Sequence, residues 1–139
     1  MADIALTAAQ VAACYPEKAE IIDMIAVEAI TQGQAVYQTT AGKAGVADAN
    51  GAGKQQFRGI ALNAAGAGQA VSVLKNGHCY GFTVSSLNGD ALLYLSDTAG
   101  ALADANGTMT VDCGRVTCLP DGNLTKVVYV AADWLRAWS

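Results

Sequence analysis

Charge is scarce in this chain. Asp, Glu, Lys and Arg together make up 14% of its 139 residues, against about 25% in an average soluble domain. Much of the surface is therefore uncharged, and depletion of charge is a mark of surface buried at interface cores. The eight basic residues are scattered from Lys18 to Arg136, and the net charge is −4. A general binder of nucleic acid or of anionic membranes needs clustered Lys and Arg to displace counterions, so neither partner is expected. Long apolar runs are missing as well. No window reaches the 18 or more consecutive apolar residues of a membrane span, and MADIALTAAQ has no basic stretch leading into a long apolar one. The chain is expected to be made and used without secretion.

Residues that carry chemistry are few. The four cysteines, Cys14, Cys79, Cys113 and Cys118, form no CxxC pair, and disulfide frameworks belong to secreted chains, so reduced and mostly buried thiols are expected. Cys113 and Cys118 stand an odd number apart within one expected strand and so face opposite sides. His78 is the only histidine. It adjoins Cys79, but neighbours in a strand point to opposite faces, which argues against a Cys-His nucleophilic pair. Asp48, Asp90, Asp97, Asp104 and Asp121 lie singly in turns. Gly51-Ala52-Gly53-Lys54 resembles a fragment of a phosphate loop, yet Asp48 and Gln55 stand where that motif wants Gly and Ser or Thr. The segment Ala-Asp-Ala-Asn-Gly occurs twice, at 47–51 and 103–107; it lacks the further oxygen ligands of a calcium loop and reads as a turn whose Asp and Asn cap their own backbone. No catalytic group, cofactor or metal site is expected, and the chain is read as not an enzyme.

What is plentiful is small residues and turn punctuation. Ala contributes 28 positions and Gly 15. Gly33, Gly42, Asn50-Gly51, Asn76-Gly77, Asn88-Gly89, Asn106-Gly107 and Asp121-Gly122 separate short runs of Val, Ile, Leu, Tyr and Thr, the texture of an all-β domain. Strands are expected at Glu20 to Val27, Ala35 to Gln38, Gly59 to Leu62, Ala70 to Leu74, Tyr80 to Val84, Leu92 to Ser96, Met109 to Thr117 and Lys126 to Ala131. Only Thr7 to Ala13 reads as helix, of at most about two turns. Set against itself, the chain shows a degenerate duplication, with the pattern of 30–74 returning over 87–130. Two copies are too few for a solenoid and imply one barrel or sandwich with internal pseudosymmetry. The expected layout is an N-terminal arm at 1–19, a β domain at 20–131 and a C-terminal tail at 132–139.

Several phrases carry a resemblance that spans almost the whole chain in order. They are Leu6-Thr7-Ala8-Ala9 before the first strand, EAITQGQAVY at Glu28 to Tyr37, RGIAL at Arg58 to Leu62, GQAVSVL at Gly68 to Leu74, and LLYLSDTAGALAD at Leu92 to Asp104. In these the chain resembles the capsid decoration, or head cement, proteins of tailed bacteriophages. The resemblance implies a compact β-barrel or β-tulip-like domain, commonly a homotrimer, on the outer surface of the virion capsid and bound to the major capsid protein. It implies no cofactor and no catalytic residue. A tail or spike component shares this texture and is the first alternative. A carbohydrate-binding module is the second, although only nine residues are Trp, Tyr or Phe. Cys14 to Ala19 and the tail depart from the family's pattern.

Two segments are candidates for contact with the shell or with a neighbouring subunit. In the arm, Ala2 to Ala13, Ile4 and Leu6 are the expected anchors, docking by strand addition. In the tail, Trp134, Leu135 and Trp138 crowd three large apolar side chains near a chain end. The i to i+4 spacing puts both Trp on one face of a helical turn. That face either folds back onto its own barrel or docks on a neighbour.

Overall fold

The computed structural model describes residues 2–138; Met1 and Ser139, the outer ends of the expected arm and tail, lie outside the described residues. The described strands are β1 (Glu20–Ile25), β2 (Ala35–Gln38), β3 (Ala44–Val46), β4 (Phe57–Ala61), β5 (Ala70–Cys79), β6 (Leu92–Leu95), β7 (Leu102–Ala103), β8 (Asp112–Cys118) and β9 (Lys126–Ala131). They form one curled antiparallel sheet in the order β3-β2-β4-β5-β9-β8-β6-β7, with β1 paired to β5 beside that path. The domain is all-β and barrel-like. Period-two burial drives it: in β9, Val128 and Val130 point inward while Tyr129 and Ala131 face out.

The duplication is written into the ladders. Val36 pairs with Gly59, and Leu93 pairs with Gly114, at equivalent places in the two copies. Both ladders slip at the next residue, between Val36 and Tyr37 and between Leu93 and Tyr94. The pair Met24 and Val71 likewise maps onto Cys79 and Val128. Strand β5 therefore serves both halves: residues 70–76 pair with β1, while 76–79 pair with β9 as the second half's counterpart of β1. The repeat thus reaches back beyond residue 30, to β1. One core cluster lies within the first half, around Met24, Ile30, Val36, Val71 and Val73. The other joins the second half to the back of the first, through Phe57, Ile60, Leu74, Leu93, Leu95 and Val128.

Three expectations are corrected. Thr7 to Ala13 is not a helix; it holds a single turn of 3-10 helix at Ala8–Gln10, because the Thr7 N–H and Ala12 carbonyl bond to Gly81 and Tyr80 instead of to a helix. Asn76-Gly77 is not a turn but lies within β5, where a Cβ on Gly77 (φ +144°) would press on Ala19 at 3.0 Å. Tyr80 to Val84 is not a strand of the sheet, since Gly81 takes φ +100° to pass tightly beneath Val11 and breaks the run. Two strands, β3 and β7, stand where no strand was expected; both are short and built of small residues with a single larger Val or Leu.

Candidate functional site

The arm is part of the barrel. The Ile4 N–H donates to the Leu102 carbonyl and the Asp104 N–H to that of Ala2, joining the arm to β7. Further along, Thr7 donates to Gly81, Thr83 to Ala5, Tyr80 to Ala12 and Cys14 to His78. The arm thus bridges β7 and the residues following β5, as an added strand closing the second half. Ile4 and Val11 are buried in the larger core, Leu6 packs against it, and the buried Ser96 hydroxyl donates to the Asp3 carboxylate. Ile4 and Leu6, expected as outward anchors, are occupied within their own chain.

The tail is clasped rather than helical. Trp138 is 5% exposed in the larger core; its N–H donates to Gln56 Oε1, and its carbonyl accepts from Gln55 Nε2 and Gln56 Nε2 at 3.0 and 2.8 Å. The Trp134 indole N–H donates to the Arg58 carbonyl at 2.9 Å, and the Arg136 guanidinium lies 4.2 Å above the Trp138 ring. The two Trp side chains therefore do not form an outward face. Leu135, 99% exposed, is the only one of the three left to meet a partner. The one sequence signal for this clasp is the adjacent pair Gln55 and Gln56, whose amides both donate to one carbonyl.

All four cysteines are free. Burial pushes the Cys79 thiol up to about 12 and that of Cys113 well above its ordinary value, and it also raises the Cys14 thiol against a hydrogen bond with Tyr80. Those three stay protonated near neutral pH. No three His, Cys, Asp or Glu side chains converge among the described residues. No helix among these residues is long and apolar enough to cross a membrane. His78 stands edge-on between Tyr15 and Tyr129, with ring centroids 5.4 and 5.2 Å away, along a trough of about 340 Å³ shared with Lys18 and Pro120. The ring planes are inclined at 83° and 64° to that of His78 and so do not make one flat row.

The surface left unexplained is β1. Ile22, Met24 and Ala26 turn inward, so Ile21, Asp23, Ile25 and Val27 face outward; the three apolar ones are 41%, 43% and 43% exposed. The backbone edge is open as well. Ala26 exchanges hydrogen bonds with Gln69 and Gly68 of the segment leading into β5, and by alternation Met24 and Ile22 face β5 too. The N–H and C=O groups of Ile21 and Asp23 and the N–H of Ile25 consequently point away, where no described strand pairs with them, while the parallel bridge of Ala26 with Ala44 turns the Ile25 carbonyl to β3. Beyond them the edge closes, since Val27 donates to the Ala44 carbonyl of β3 and Glu28 Oε2 accepts from the Val46 N–H at 3.2 Å. The charged residues of the stretch 17–28 are Glu17, Glu20, Asp23 and Glu28 with Lys18 as its single cation, and Lys43 precedes Ala44 on the adjoining β3. Lys75 is already engaged by Glu20 at 2.9 Å, and Ser72 Oγ donates to Asp23 Oδ1.

No family model, no curated protein and no solved structure matches this chain.

Proposed function

We propose that the chain is a structural protein of a bacteriophage particle, binding the outside of the head and stabilising the shell without turning over a substrate. The observation that carries this reading is the outward row of Ile21, Ile25 and Val27, the first two on a strand with an open edge, in a chain otherwise poor in surface charge. Monomeric soluble proteins seldom leave an apolar face on an unpaired edge, because it invites association. The ordered resemblance to head cement proteins supplies the kind of partner, the major capsid protein. Cement of this kind acts by burying area across several shell subunits, which opposes their separation. Self-association as a homotrimer belongs to the same proposal, with Leu135 available for such contacts.

The test is sedimentation of the purified chain with assembled heads stripped of it. Wild type should co-sediment, and Ile21→Glu with Ile25→Glu, both on the surface, should stay in the supernatant with an unchanged circular dichroism spectrum. Undiminished binding of that double variant would reject the surface, and failure of wild type to bind would reject the function. Light scattering of the free chain reads the trimer.

A further inference from the structure

We infer that the open edge of β1 takes one extended segment of the shell protein as an added strand, with a Lys or Arg of that segment set against Asp23. This rests on the head-binding reading above and names the form and charge of the partner. The pseudosymmetry supplies the first argument. The shift that carries Met24 to Cys79 carries Asp23 and Ile25 to His78 and Tyr80, and there the edge is covered: the His78 carbonyl accepts from Cys14 and the Tyr80 N–H donates to Ala12. One edge of the duplicated pair is filled by an extended segment of this chain, and its counterpart is open from Ile21 to the Ile25 N–H, where β3 takes over.

Charge decides between occupants. Antiparallel pairing with a second copy, in the register that uses all three outward N–H groups, sets Asp23 opposite Asp23 and Ile21 opposite Ile25. Like charges directly opposed in a ladder are destabilising, and an inward or central charge is a common guard against edge-to-edge association. With Glu17, Glu20 and Glu28 nearby in the sequence and Lys75 already committed to Glu20, the edge favours a cationic strand. Strand addition draws affinity from main-chain hydrogen bonds and selectivity from alternate side chains. The apolar neighbours of the cation would then lie against Ile21 and Ile25.

The experiment is amide exchange of the full chain, free and bound to stripped heads. In the free chain the Ile21, Asp23 and Ile25 amides should exchange quickly; on the head they should slow by at least about 100-fold. A second variant, Asp23→Pro, removes an outward N–H that no described strand uses, a position where an edge strand tolerates proline. It should keep the core amides protected and lose head binding at least tenfold, as should Asp23→Lys. Tight binding with those amides still fast would overturn the added strand and leave the head-binding reading standing. No binding at all would overturn both. Protection that grows with concentration of the free chain would make a second copy the occupant and overturn the inference.

Discussion

The two halves of this domain share a ladder and differ in how they close. In the first, β1 returns to β3 through the parallel bridge between Ala26 and Ala44, so the path β3-β2-β4-β5-β1 comes back on itself. In the second, the counterpart of β1 never meets β7 directly. The arm stands between them, bridging Asp3 to Ala103 and Leu6 to Phe82. The twin Ala-Asp-Ala-Asn-Gly turns diverge in the same way: Asp48 caps its own loop by accepting from the Asn50 N–H, whereas Asp104 accepts from the Ala2 N–H and holds the arm. What looked like an appendage is the strand the second half lacks, and what looked like an ordinary first strand is the one with an edge to spare.

Removing the arm is the strongest way to break that comparison. Deleting residues 2–13 uncovers sites filled by Ile4, Leu6 and Val11, and burial of such side chains is worth about 1.5–3 kcal/mol each when complete. The loss, on the order of 5 kcal/mol, rivals the whole stability of a marginal domain. Amide exchange should show β6 to β9 losing protection first while β2 to β4 keep theirs. Equal loss in both halves would mean that they are not separately closed.

The tail tests how the halves are held together, because it leaves β9 in the second half and docks beside the start of β4 in the first. Trp138→Ala should destabilise by about 3–5 kcal/mol, the usual cost of deleting a buried aromatic side chain, while Leu135→Ser should stay within about 0.5 kcal/mol. Chemical denaturation of the two variants reads both values.

Gly59 and Gly114 sharpen the likeness itself. They are equivalent residues at the two bulges, and a Cβ on either would strike a neighbouring strand's backbone, the Leu74 carbonyl oxygen for Gly59 (φ +150°) and the Tyr129 carbonyl oxygen for Gly114. Each Gly→Ala change should cost about 1–3 kcal/mol, and similar costs in the two halves would confirm that both crossings need the same close approach.

The sequence made some of this legible. Lys126 to Ala131 and Ala35 to Gln38 coincide with strands to the residue, the first because a half-buried strand leaves a period of two, the second because a short β-prone run stands between turn residues. The duplication was visible in the twin turns. β3 and β7 were hidden because Ala44-Gly45-Val46 and Leu102-Ala103 are too short to show a period. The roles of arm and tail were hidden for another reason: Ile4, Leu6 and Trp138 are apolar residues near chain ends, and nothing in their spacing says whether they pack inward or outward. The open edge of β1 is a matter of pairing, and pairing between segments as distant in the chain as β1 and β5 has no local signature.

The smallest effect separates two carboxylates, one in each half, that are both held below their ordinary range by different means. Glu20 is lowered first by its hydrogen bond from Lys75 and then by the charge of that ammonium, while Asp121 is lowered by the backbone N–H of Thr125 at 2.9 Å, with the Thr125 side chain adding to it. A carboxylate with a depressed folded-state pKa contributes stability that is present above its unfolded value, about 4.3 for Glu and 3.9 for Asp, and is lost as pH falls through the folded value. Both sites should therefore loosen below about pH 4. Salt distinguishes them. The Glu20 and Lys75 pair is exposed and carries full charges, so about 1 M salt, with a Debye length near 3 Å, should screen it. The Thr125 N–H carries no net charge and acts at contact, so the Asp121 turn should keep its pH response. Amide protection factors across pH 3 to 6, at low and at about 1 M salt, are the measurement. The β1 and β5 amides near Glu20 should lose their acid sensitivity at high salt, while those of the turn between β8 and β9 retain it. A turn whose response vanishes in salt would show that Asp121 is held by distant cations rather than by Thr125.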